Sequence, residues 1–114
     1  MKVFSNAPIK AYNGEEIKIP MGDGVAPSTE FRHALRWILN NAPFQTQEDC
    51  INSVSLSRSI DKAEGKRIVE IEDVPYEWLK KKAEVVTPGI FRVNGNIVYT
   101  YICEGFKKEE EVKK

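Results

Sequence analysis

The sequence predicts an α+β fold: an N-terminal β-hairpin plus a short third strand packed on three to four α-helices. Three observations predict it. Asn13-Gly14 is a hairpin turn signal inside APIKAYNGEEIKI, residues 7–19. FRHALRWILNN, residues 31–41, repeats its apolar residues at helical spacing. RIVEIE, residues 67–72, reads as a short strand between two helical stretches. At 114 residues the chain is one domain's worth of sequence. The single domain is expected over residues 1–105, with residues 106–114 as a charged, disordered tail.

The hairpin register follows from its apolar pattern. A two-residue turn at Asn13-Gly14 would set Ile9 opposite Lys18 and mix the faces. A three-residue loop, Tyr12-Asn13-Gly14, pairs Ile9 with Ile17 and Lys10 with Glu16. Gly14 then takes the left-handed position of a G1 bulge. A lone hairpin is marginal in water, so the strand near 67–72 is expected to join it in an antiparallel sheet under helical cover.

Residues 20–28, PMGDGVAPS, read as a loop. Ser28 or Thr29 is placed to cap the first helix, over residues 29–41. Phe31, Ala34, Leu35, Ile38 and Leu39 form its apolar stripe, with Arg32, Arg36 and Asn40 opposite. Residues 47–64 carry two signals. Thr46-x-x-Asp49 resembles a capping box and Gly65 stands where a helix cap belongs, yet SVSLSRSI alternates as a strand would. The helix is preferred because both ends carry helix punctuation. Asp73 is expected to cap a third helix over residues 74–86, with Pro75 in its first turn. Its apolar arc is Val74, Trp78, Leu79, Ala83, Val85 and Val86, with Lys82 inside the arc and obliged to snorkel. Residues 88–104 again offer a choice, between a hairpin at Asn94-Gly95 and a helix from Thr87-Pro88 to Gly105. A two-residue hairpin would mix faces, so the helix is preferred, with Gly95 inside it and close to another element.

Composition bounds the function. Hydrophobic residues are 41% and charged residues 30%, and seventeen basic residues balance seventeen acidic ones. Zero net charge disfavours a domain whose task is gripping a phosphate backbone. Apolar runs fall short of the ~18 residues of a membrane span. No signal peptide is expected, since the first residues carry no basic stretch followed by an apolar core. Two cysteines, Cys50 and Cys103, are too few for a disulfide framework and fit a reducing compartment.

Candidate chemistry is sparse. His33 is the lone histidine, with no nucleophile motif beside it, and is expected as an ordinary surface residue. No CxxC or second histidine suggests a metal, and Gly22-Asp23-Gly24 lacks the Lys-Ser/Thr of a phosphate loop. No cofactor is expected, and no catalytic residues are assigned. Trp37 falls at the edge of the first helix's apolar stripe, beside His33. With Arg36, Arg32 and His33 it makes the expected partner-binding surface, because Trp and Arg are enriched at interface hot spots. Lys80, Lys81 and Lys82 form a basic cluster flanked by Glu77 and Glu84; they are the candidate nucleic-acid contact.

The order of features resembles a small uncharacterised protein family encoded by phages and prophages. The residues that carry the resemblance are Pro8-Ile9-Lys10 with Asn13-Gly14, then FRHALRWILNN at 31–41. IVEIEDVPYEWLKKKAEVV at 68–86 and TPGIFRVNGNIVYTYI at 87–102 complete it, while the serine-rich second helix departs from the pattern. The resemblance implies a non-enzymatic accessory or assembly protein in the host cytoplasm. Its implied partner is a protein: a second copy, a virion component or a host factor. The alternative is a small nucleic-acid-binding regulator, and an enzyme ranks last.

Overall fold

In a computed structural model, which describes residues 1–106, the chain runs β1 (Lys2–Ser5), α1 (Phe31–Asn41), α2 (Gln47–Lys62), β2 (Ile68–Ile71) and α3 (Asp73–Phe91). A 3-10 turn at Arg92–Asn94 leads into α4 (Gly95–Glu104). The expected charged tail from residue 107 lies outside the described residues. The α+β class holds, with an antiparallel strand pair against the helices.

The pairing of that sheet differs from expectation. β2 pairs with β1, in the register Lys2 opposite Ile71 through Ser5 opposite Ile68, and not with residues 7–19. Val3 and Phe4 are both buried, so β1 is covered on both faces. Its burial outweighs the better turn signal downstream. The 7–19 segment still turns back as the sequence requires. A single bridge joins Lys10 and Glu16, the Ile17 N–H donates to the Ile9 carbonyl at 2.9 Å, and Gly14 has φ +85°. The three-residue loop and its register are therefore present, as one bridge short of a ladder.

The start of α1 is also a correction. Neither Ser28 nor Thr29 is the cap; Glu30 holds that position without a side-chain cap bond. Buried Asn6 supplies the bond instead, its Oδ1 accepting from Arg32 N at 2.8 Å. Asn6 Nδ2 donates to Glu30 Oε1 and to the Lys66 carbonyl, and its N–H to Arg67 O at 2.8 Å. One side chain thus joins the end of β1 to α1 and to the approach of β2.

The second segment is helical, as its punctuation requires. Thr46 Oγ1 accepts from Asp49 N at 3.2 Å while Asp49 Oδ2 accepts from Thr46 N at 3.1 Å. Gly65, past the C-terminus, has φ +73°. Three of the four alternating serines bond back to their own helix or to α1: Ser53 to the Cys50 carbonyl, Ser59 to the Ser55 carbonyl, Ser57 with Arg36.

α3 is longer than expected. It continues through Pro88 to Phe91, and the break falls at Arg92 rather than at Thr87-Pro88. Pro88 removes one helix hydrogen bond, but it stands on the exposed side while Val86, Thr87 and Phe91 are buried around it. Packing of the inner face carries the helix past the proline. Thr87 Oγ1 donates to the Ala83 carbonyl at 2.8 Å, which satisfies the buried hydroxyl. Val74 and Val85, expected in the apolar arc, are instead exposed. Gly95 is helical and close-packed as expected: a Cβ there would meet Thr87 O at 2.9 Å and Pro88 Cα at 3.0 Å.

One core joins all elements. Phe4 lies against the rings of Phe31, Tyr76, Tyr101 and Phe106 at centroid distances of 5.1, 6.1, 5.9 and 6.0 Å. Phe106, assigned from sequence to the tail, therefore belongs to the folded unit. The Tyr76 hydroxyl donates to Ile102 O at 2.8 Å and that of Tyr101 to Ser5 O at 3.0 Å. Every buried side-chain N and O atom among the described residues has a partner.

Candidate functional site

Helical spacing puts Arg32 with Arg36, and His33 with Trp37, in adjacent rows along α1. The structure thus brings the four expected partner-binding residues onto one side of one helix. It also engages three of them internally. Arg32 Nε lies 3.2 Å from Glu30 Oε1. Arg36 reaches α2, with Nη2 2.8 Å from Asp61 Oδ1 and Nη1 donating to Ser57 Oγ at 3.1 Å. His33 is not the partnerless surface residue expected. Its ring is half-buried, Nδ1 is hydrogen-bonded with Ser28 Oγ, and Glu30 Oε2 lies 3.6 Å away. Burial, then the Arg32 charge, lowers the imidazole from its ordinary value and so favours its neutral form. Serine and glutamate meet the same ring nitrogen, whereas a relay of the hydrolase type needs one on each.

Trp37 is half-buried, its ring edge-on to Phe91 of α3 at 4.9 Å and 75°. It forms a wall between two hollows. The smaller, of about 140 Å³, is lined by Ile19, Met21, His33, Arg36 and Asn40 as well. The larger, of about 330 Å³, lies between the 12–14 turn and the α3–α4 junction, where Tyr12, Glu15, Glu16, Lys18, Phe91 and Asn94 join Trp37. Asn94 Oδ1 accepts from Tyr12 N at 3.1 Å and fastens the turn to the junction.

The lysine cluster is divided by the helix. Lys80 Nζ pairs with Glu77 at 3.3 Å and lies 5.8 Å from the Tyr76 ring centroid. Lys82 snorkels as expected, to Asp49 at 3.3 Å and the Pro43 carbonyl at 2.9 Å. Lys81 is exposed.

Two features escaped the sequence reading. Asp49 is buried and takes four donors: Gln45 N at 2.7 Å, Thr46 N at 3.1 Å, Trp78 Nε1 at 2.9 Å, and Lys82. The Gln45 amide first, then the Trp78 indole, holds its carboxyl well below the usual carboxylate range. The capping box was a signal for the local half of this knot; nothing local announced Trp78. The second feature is an apolar strip on the outer face of α2, where Ile51 is 67% exposed and Val54 50%. Cys50 and Arg58 flank it.

No cluster of three or more metal-ligating side chains stands among the described residues. No described helix is long and apolar enough to cross a membrane. No family model, curated protein or solved structure matches the chain.

Proposed function

We propose that this chain is a protein-interaction module, of the non-enzymatic accessory or assembly kind implied by its resemblance to phage proteins, and that it contacts its partner through the Trp37 face. The observation that carries the reading is the position of Trp37: anchored on one edge by Phe91 and open to a hollow on either side. A half-buried tryptophan held rigid by its own fold loses little freedom on binding and offers a large amphipathic surface. Arg32 is paired with Glu30 at the start of α1 and Arg36 with Asp61 of α2, so both frame the face rather than seek partner carboxylates.

The test is quantitative capture of the partner from cells that produce the chain, with folding of each variant checked by circular dichroism. Trp37→Ala is expected to reduce capture at least ~10-fold, as loss of a hot spot does. Tyr12→Ala, at an exposed position across the larger hollow, is expected to weaken it without touching the core. Ile51→Glu on the far face of α2 serves as the control and should leave capture unchanged. Equal capture by all four proteins, or loss only with Ile51→Glu, would overturn the reading.

A further inference from the structure

We infer that the larger hollow, between the 12–14 turn and the α3–α4 junction, receives an arginine side chain of the partner polypeptide. The inference rests on the protein-interaction reading above and adds to it the chemistry of what enters.

Three observations converge on this hollow. Its volume, about 330 Å³, is of the order of a small ligand site. Its lining includes the aromatic residues Trp37 and Tyr12 and the acidic residues Glu15 and Glu16, together with Asn13 and Asn94. A planar guanidinium is the one common side-chain group that uses all of these together. It stacks on aromatic faces, bonds carboxylates through a fixed fork of donors, and carries its charge at every physiological pH. The charge of the lining agrees. Glu15 has no ion-pair partner among the described residues, and Glu16 has only Lys10 at 3.7 Å, between two exposed side chains. Lys18 is the one basic residue of the lining itself, against the two acidic ones Glu15 and Glu16.

The third observation is strain. Arg92, one residue past Phe91 of the lining, has φ +54° and ψ −118°, a conformation that favours glycine. Held strain of this kind clusters where geometry is kept for binding. Here it turns the chain out of α3 so that Asn94 reaches Tyr12 and closes one end of the hollow.

The probe is the capped tripeptide acetyl-Gly-Arg-Gly-amide, with the citrulline peptide as its uncharged isostere. The readout is amide and indole chemical shifts of the whole chain. Millimolar arginine peptide is expected to move the Tyr12 amide, the Asn94 side-chain amide and the Trp37 indole together. The citrulline peptide should bind at least ~10-fold more weakly, because it keeps the shape and loses the charge. Glu15→Gln with Glu16→Gln should weaken the arginine peptide ~10-fold or more, while Lys18→Gln should tighten it a few-fold; all three residues are exposed, so the fold is kept. Equal shifts with both peptides, shifts remote from the hollow, or no shifts at about 10 mM peptide would each overturn the inference. Partner capture that falls with Trp37→Ala but is untouched by the paired glutamate substitutions would overturn it too, leaving the interaction reading standing.

Discussion

At Gly95 two effects of one methyl group oppose each other. A helical alanine is favoured over glycine by about 1 kcal/mol. The added Cβ, however, would stand 2.9 Å from the Thr87 carbonyl oxygen and 3.0 Å from Pro88 Cα, both backbone atoms that cannot swing aside. Overpacking typically costs about 1–3 kcal/mol, so Gly95→Ala is expected to lower the urea midpoint. A rise would show that the α3–α4 contact yields. Two other residues contribute to the acid limb of stability. Asp49 has a depressed pKa, so its contribution is present above the ordinary carboxylate pKa of about 4 and is lost as pH falls below that. His33 also has a depressed pKa; the unfolded chain takes up its proton first, so stability falls as pH drops through about 6.5. Asp49→Asn should flatten the lower part of a stability–pH curve and His33→Gln the upper part. Asp49→Asn should also destabilise more than Thr46→Ala, a cap loss of about 1 kcal/mol, because four donors converge on the carboxylate and one on the hydroxyl.

The helix junction at Arg92 carries its strain in the backbone. A non-glycine residue held in such a region costs about 1–3 kcal/mol, and glycine in the unfolded chain returns about 0.4–1 kcal/mol of entropy cost. Arg92→Gly is therefore expected to stabilise by about 1 kcal/mol in denaturant titration; an unchanged or lower midpoint would mean that the arginine side chain contributes what its backbone loses. This junction also shows where sequence reading reaches its limit. Local punctuation was legible: the Thr46–Asp49 box, the Gly65 cap, the Gly14 bulge and the α1 stripe all stand where residue types place them. Pro88 was legible too, but as a stop, because its effect on the chain is local whereas the burial of Phe91 that overrides it is not. β1 offered no alternation to read, since Val3 and Phe4 are buried on opposite faces of a four-residue strand. Its partner lies 60-odd residues away, as does the reach of Asn6 to Lys66. The Trp37 edge position was visible on a helical wheel; the hollow beside it was not, because it exists only where the 12–14 turn meets the α3–α4 junction.

Across the whole molecule, the two ends of the described chain are held by one aromatic group. Phe4 from β1, Phe31 from α1, Tyr76 from α3, and Tyr101 and Phe106 from α4 and just beyond it share ring contacts. The β1–β2 ladder has only four residue pairs and would be marginal alone. It persists because Phe4 is fully buried among those rings, and because Asn6 and the Tyr101 hydroxyl bind the end of β1. Opening β1 thus exposes the centre of the core instead of fraying an edge, so β1 amides should exchange with the slowest amides of α3 and α4. Phe4→Ala is expected to cost about 3–5 kcal/mol, a large share of the roughly 5–15 kcal/mol typical of a domain. Trp37→Ala, at a half-buried ring with one aromatic neighbour, should cost about 2 kcal/mol. The pattern of lost protection separates the two substitutions further. Phe4→Ala should accelerate exchange in β1, α1, α3 and α4 together, because Phe4 stands on β1 and its ring meets Phe31, Tyr76 and Tyr101. Trp37→Ala should accelerate it mainly where α1 meets the end of α3. Exchange in β1 that is already fast in the unsubstituted protein, with the helices still protected, would show that the strand is an appendage and that the helices alone hold the fold.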